Sequence, residues 1–327
     1  MPKIIFQHTH DDIISLENLL KAWKEFVRGK RARQDVQMFE RNLMTNIVSL
    51  HHELVAKAYS HSKYQAFKIS DPKPRDIHKA SVRDRLLHHA LHRMLSPFFT
   101  KTFISDSHSC QIGKGVHRAL KRFQQFTDII SRNNTRATWA LKCDIKKFFA
   151  NIDQTTLLVI ISKYIPDQDI IWLLSVVLGS FNSGRNGVGL PLGNLTSQLF
   201  VNIYMNEFDQ FVKHKLKIKY YVRYADDFVV VSPDRAYLEQ ILPLMQDFLR
   251  NKLKLSMHPK KISIQTLASG VDFLGWIHFP DHRVLRTVTK KRMLKRLTQK
   301  PEPAVINSYL GLLGWGNSFK LKQQILA

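Results

Sequence analysis

The chain has 327 residues, 44% of them hydrophobic, which is length for about two domains and ample material for a core. Its 50 Lys and Arg against 26 Asp and Glu leave a formal charge of +24, an excess that calls for a polyanionic partner. No apolar run is long enough to span a bilayer, since Ser175 interrupts the best stretch, Ile170 to Leu178; no cleavable leader is visible in the first ten residues; and Cys110 and Cys143 lack metal-ligand spacing, so reduced thiols in the cytoplasm are expected.

In chain order, Leu16, Leu19, Leu20, Trp23, Phe26 and Val27 recur at helical spacing. The run Arg28 to Arg33, a solvated loop or phosphate-contacting arm, breaks that helix. One long helix is expected next, with Phe39, Leu43, Ile47, Leu50 and Leu54 on one face. Tyr64 to Ile69 reads as a strand, Asp71 to Arg75 as an extended connector around Pro72 and Pro74, and Arg83 to Leu95 as a helix. Trp139 to Asp144 is a buried-strand run ending on a carboxylate. Helices are expected over Thr155 to Tyr164, Gln168 to Leu178 and Asn194 to Lys213, with a loop at Asn182 to Asn186. Lys219 to Val231 is a strand pair with a tight turn. Ser232-Pro233 opens a helix toward Lys252, Val271 to Phe279 is a strand, and the chain from Arg286 onward is basic and helical. Strands and helices interleave without strict βαβ alternation, so the fold class is α+β with an antiparallel sheet.

Two places carry chemistry. Tyr221 to Val231 sets Asp226 and Asp227 between apolar strand-like runs, at a hairpin tip. Adjacent carboxylates raise each other's pKa and need a cation, and hard divalent ions are the natural one. An Asp-Asp pair alone is more often a turn. Leu141 to Phe149 puts a second acid, Asp144, at the end of an apolar strand, although Asp144 as a helix N-cap also fits that segment. If the strands share a sheet, three carboxylates meet and can hold two metal ions for in-line phosphoryl transfer.

Asp144 with Phe148-Phe149, and Tyr224-Ala225-Asp226-Asp227, resemble motifs A and C of reverse transcriptases. Gly189 to Gln198 resembles motif B, and its Gly193-x-x-x-Ser197-Gln198 form is similar to the diversity-generating retroelement branch. Lys73-Pro74-Arg75, Arg83-Asp84-Arg85 and Gly113-Lys114-Gly115 resemble the fingers blocks of bacterial members, Leu253 to Lys261 motif D, and Phe273 to Trp276 the primer grip. The resemblance covers almost the whole chain, in order.

It implies a right hand: a basic helical extension over 1–35, interleaved fingers and palm over 36–279 with catalytic strands in 138–149 and 217–232, and a helical thumb over 280–327. Asp144, Asp226 and Asp227, with the Ile145 carbonyl, would bind two Mg2+, with Mn2+ able to substitute. Lys261 would protonate pyrophosphate, with Lys260 as its adjacent competitor. Arg75, Phe149, Leu192, Gly193 and Gln198 would meet the nucleotide, Phe149 by excluding a ribose 2′-hydroxyl, although core packing serves Phe149 equally. Arg83, Lys114, Gly275 and Trp276 would touch template or primer. The implied activity is RNA-directed DNA synthesis on a template-repeat RNA, error-prone at adenines because Leu192 replaces a hydrogen-bonding glutamine. Implied partners are template RNA, cDNA or primer, dNTPs and a basic oligomeric accessory variability protein, with no membrane. The rivals are a retron, group II intron or phage-defence enzyme, and a catalytically silent RNA-binding relative. His88 and His92, four apart, lack a third zinc ligand.

Overall fold

The computed structural model describes residues 4–70 and 74–326, and the chain forms two compact units. The first comprises Met1–Ile104, Lys147–Asp209 and Leu249–Leu255; the second comprises Ser105–Lys146, Gln210–Phe248 and Ser256–Ala327.

The first unit opens with α1 (His10–Ile14), α2 (Leu16–Phe26), α3 (Gln34–Arg41) and α4 (Leu43–Val55), then β1 (Gln65–Ile69), β2 (Arg75–Lys79) and α5 (Val82–Thr100). The second begins with α6 (Val116–Ser131) and β3 (Trp139–Asp144). The chain returns to the first for α7 (Gln154–Ser162), α8 (Gln168–Gly179) and α9 (Leu195–Gln210). It then forms β4 (Tyr221–Tyr224), β5 (Asp227–Ser232), α10 (Arg235–Leu253), β6 (Ser263–Thr266), β7 (Val271–Phe273), β8 (Trp276–His278) and β9 (Arg283–Leu285). Helices α11 (Thr287–Gln299), α12 (Pro303–Leu313) and α13 (Phe319–Leu326) follow.

In the first unit, α2 buries Leu19, Trp23 and Phe26, and the Ser15 side chain caps it by accepting from the Asn18 amide. The expected long helix is two. Asn42, at φ −117° and ψ 39°, leaves helical geometry between α3 and α4, while Val36 on one side and Ile47, Leu50 and Leu54 on the other stay buried. The apolar face runs on across the break, which is why periodicity alone hides it. Of the expected connector, Asp71 to Lys73 lie outside the described residues, and Arg75 already belongs to β2, antiparallel to β1.

The second unit is built on a four-stranded antiparallel sheet ordered β4-β5-β3-β6. Helix α6 packs Phe123, Phe126 and Ile130 into a core with Val222, Val229 and Val231 of β4 and β5. Burying each such side chain contributes roughly 1.5–3 kcal/mol. A second sheet, β7-β8-β9, joins that core through Phe273, Trp276 and Leu285. The single strand expected over Val271 to Phe279 is therefore a hairpin. It turns at Leu274 (φ 50°) and Gly275 (φ 89°), and a leucine in a left-handed turn position masks the usual turn signal. The helix expected at Ser232-Pro233 starts later: the Ser232 hydroxyl accepts from Asp234 N, and the Asp234 carboxylate accepts from Ala236 N at the mouth of α10. Among the described residues no helix is long and apolar enough to cross a membrane.

Candidate active site

The acidic cluster is assembled by backbone register. Strand β3 lies between β5 and β6, and its last residue, Asp144, pairs directly with Asp227, the first residue of β5. Tyr224 pairs with Asp227 across the hairpin, so Ala225 and Asp226 form a two-residue turn. Ala225 sits at φ 54°, and the buried Arg223 guanidinium steadies it by donating from Nη1 to the Ala225 carbonyl (3.0 Å) and from Nη2 to Ser107 Oγ (3.0 Å). The Ile145 amide donates to the Asp226 carbonyl (3.1 Å), and the His258 amide donates to the Asp144 carbonyl (2.7 Å). Three carboxylates thus stand on one sheet edge because three backbone segments are tied there.

The electrostatics follow. Burial, with Asp227 and Asp144 as negative neighbours, pushes the Asp226 carboxyl up to about 6. Burial and the charge of Asp144 also raise Asp227, against pulls downward from Lys142, Lys261 and Arg286. Lys261 Nζ donates to Asp144 Oδ2 at 2.7 Å, so its ammonium faces the acids. Among the described residues no three His, Cys, Asp or Glu side chains are yet converged as a closed set of ligands. The donor set is still the one a hard divalent ion prefers: carboxylate oxygens whose mutual repulsion a cation relieves. The chemistry of Asp144, Asp226 and Asp227 therefore suits divalent cations.

The first unit gathers a different group. The Leu190 amide donates to the Phe149 carbonyl (2.8 Å), Gly189 N to the Ile152 carbonyl (2.8 Å), and His78 N of β2 to the Leu192 carbonyl (3.1 Å). These bonds draw Phe149, Leu192 and Gly193 to one end of β2. Buried Gln154 braces the same loop, donating to the Gly189 carbonyl at 2.9 Å. Gly193 takes φ 104°, and a Cβ there would lie 2.9 Å from Ile77 Cγ2, so glycine is required. Gly193 and Gln198 line a hollow of about 370 Å3 together with Lys30, Arg33, Lys79 and Arg85. Its cations crowd one another. Burial and the charges of Arg85 and Arg33 lower the Lys30 pKa, and Lys79 and Arg85 share the Asp35 carboxylate at 2.7 and 2.5 Å. Arg75 lies at the far end of β2, opposite Ile69, and does not line the hollow.

Other expected contacts are differently occupied. The Arg83 guanidinium lies 4.8 Å over the Tyr59 ring and pairs with Glu53 and Asp84, an internal role. Lys114 Nζ donates to the Ser105 and Ser107 carbonyls at 3.1 and 2.8 Å. The Trp276 ring is 1% exposed and packed in the core, so at this motif the half-buried Gly275 turn is the part left near solvent. His88 is buried against His61 (Nε2 to Nε2 3.3 Å), and burial pushes its pKa down to about 3, consistent with a packed neutral imidazole. Sequence reasoning missed Lys79 in the hollow and Gln154, which braces the loop before Gly193. Lys79 ends a strand with no clear alternation, and Gln154 looks like an ordinary first-turn polar residue.

Comparison with known proteins agrees with the geometry. The family model described as "Reverse transcriptase (RNA-dependent DNA polymerase)" matches residues 68–278. Protein YkfC of Escherichia coli (strain K12) is 24% identical over 312 residues, covering 83% of this chain and 79% of its own. The group II intron-encoded protein LtrA of Lactococcus lactis subsp. cremoris is 26% identical over 292 residues, covering 69% of this chain. Only 47% of LtrA is matched, so the chain spans under half the length of that relative. Among solved structures, apo telomerase from Candida tropicalis truncated from its C-terminal domain has a TM-score of 0.50 at 12% identity, over 74% of this chain and 60% of that one, a likeness of fold. A mixed fold with an antiparallel sheet carrying carboxylates at its edge, matched by this model over most of its length, places the chain in the reverse transcriptase (RNA-dependent DNA polymerase) family.

Proposed function

We propose that this protein copies a repeat-containing template RNA into cDNA, with frequent errors opposite template adenines, in the cytoplasm and with a basic oligomeric accessory protein. The observation that carries the polymerase part is the mutual charge of Asp144, Asp226 and Asp227 at one sheet edge, which holds Asp226 near 6 and calls for divalent cations. When bound, two Mg2+, or Mn2+ in their place, supply Lewis-acid activation of a primer 3′-hydroxyl and neutralise charge on the leaving pyrophosphate. The three carboxylates would hold them, with the Ile145 carbonyl as a further ligand. Lys261, ion-paired to Asp144 at 2.7 Å, holds the proton that the departing pyrophosphate takes up. Phe149 excludes a ribose 2′-hydroxyl, Arg75 reaches the triphosphate or base, and Gly193 lets the backbone come close to the nucleotide. The cations beside Gly193 and Gln198 suit its phosphates. Residues 280–327 serve as the thumb.

The adenine errors rest on Leu192 and on the Ser197-Gln198 form of motif B. Leu192 offers an apolar side chain where a base-pair-fixing amide would hydrogen-bond. The likeness to LtrA favours a second reading, a group II intron type of enzyme without adenine bias. Primer extension on RNA with dNTPs against rNTPs, then misincorporation on templates presenting A, C, G and U, separates these. Extension with dNTPs alone and errors concentrated at A support the proposal. Equal error at all four bases supports the group II reading, and no extension in any arm removes the polymerase assignment.

A further inference from the structure

Helix α6 carries a second concentration of positive charge. Arg118, Lys121, Arg122 and Gln125 follow at helical spacing, and together with His108, His117 and Trp315 they line a cavity of about 560 Å3. Asp106, the acid in the cavity wall, is already matched by Arg122 at 2.7 Å and Lys213 at 3.0 Å. Arg118 donates to the Gly113 carbonyl at 2.7 Å and has no carboxylate partner among the described residues. The cavity therefore presents uncompensated positive charge, in an order suited to phosphates.

Two further features point to a base rather than to a bare phosphate. Trp315 stacks on His117 with ring centroids 3.8 Å apart and planes 16° apart, yet stays 42% exposed, so an aromatic platform is open to a ligand. His108 is only 3% exposed, and among the described residues neither of its ring nitrogens has a hydrogen-bond partner. Burial and the charges of Lys114, Arg118 and Arg122 push its pKa down to about 4, so it presents one donor and one acceptor as a neutral imidazole. A buried polar pair left open is unfavourable, and a base edge satisfies it. A second hollow continues past Trp315 along α6, but Asp128 and Asp281 line it, so phosphate contact belongs to the first.

We infer that this cavity binds a segment of single-stranded nucleic acid, with a base stacked on Trp315 and read at its edge by His108, and with flanking phosphates on Arg118 and Lys121. Stacking platforms beside cationic grooves bind single strands in this way. The site shares no residue with the carboxylate edge, and its test does not depend on polymerase activity.

The test is anisotropy of labelled unprimed 8-nucleotide strands, one RNA and one DNA, titrated with the full chain in EDTA. Uridine monophosphate and a blunt duplex serve as competitors. Trp315→Ala is expected to weaken the better-bound strand by about 5- to 100-fold, as loss of one stacked base does. Trp315→Phe should restore most of the affinity, which separates stacking from a folding defect. Arg118→Gln with Lys121→Gln should flatten the salt slope by about 1.4, at 0.7 per single-strand phosphate contact. Whichever strand binds more tightly identifies the natural sugar. Unchanged affinity in Trp315→Ala overturns the site, and competition by the monophosphate or the duplex as strong as by the strand itself overturns its assignment to single strands.

Discussion

The acidic edge of the second unit and the basic hollow of the first are built on the same electrostatic principle by opposite structural means. Both crowd like charges. Asp226 is driven up to about 6 by its acidic neighbours, and Lys30 is driven down by burial and by Arg85 and Arg33. Crowded acids attract metal ions and crowded cations attract phosphates. The acids, however, are placed by backbone pairing, Asp144 against Asp227 in one ladder. The cations converge from the turn after α2, from β2 and from α5, which lie far apart in sequence. Backbone-built charge is rigid and hard to replace, whereas side-chain-built charge is shared and more tolerant.

That difference gives graded expectations. In EDTA the Asp226 carboxyl should contribute a loss of stability as pH rises from about 4 to about 6, against the gain that buried histidines such as His88 and His108, held below their ordinary value, contribute over the same window. The folded Asp226 pKa lies above its unfolded value, so at this carboxyl the native state binds more protons than the unfolded one across that window. Asp226→Asn should remove the loss and be more stable than wild type at pH 7.5 by on the order of 2 kcal/mol, with no advantage near pH 4. Chemical denaturation at the two pH values reads this, and a pH-independent difference would break the charge-crowding account. In the hollow, Gly193→Ala must hold φ near 104° with its new Cβ against Ile77. Strain of about 1–3 kcal/mol predicts a rise in dNTP KM of roughly tenfold with kcat less affected. Arg85→Gln or Lys79→Gln should each raise that KM by about 3- to 5-fold, since the neighbouring cations remain. Loss as large as at the acids would show the hollow to be rigid after all. Smallest of all, Leu192→Gln should lower misincorporation at adenine by about threefold, the worth of one added hydrogen bond. No change in the error spectrum would cut the link to Leu192.

The same contrast explains how much was legible in the sequence. Trp139 to Asp144 is a strand to the residue because a run buried on both sides and ending on an acid has few other conformations. The hairpin turn at Ala225 and Asp226 was readable from its apolar flanks. Strand β2 was not, because the β1-β2 hairpin is largely exposed and lacks alternation. The break at Asn42 and the Leu274-Gly275 turn were hidden by apolar side chains that continue through them. Of the hollow, Gly193 and Gln198 were found through motif B, whereas Lys79 was not, since nothing local says that a strand end will face a loop more than 100 residues away, as His78 N does in bonding to the Leu192 carbonyl.

The most direct measurement is primer extension on an RNA template with dNTPs and Mg2+, comparing the wild-type protein with Asp226→Ala. Two-metal catalysis supplies several kcal/mol at about 1.4 kcal/mol per tenfold, so the variant should be slower by at least about a thousandfold while binding RNA as the parent does. Extension by Asp226→Ala at the parental rate would contradict the assignment of the carboxylate edge as the catalytic centre.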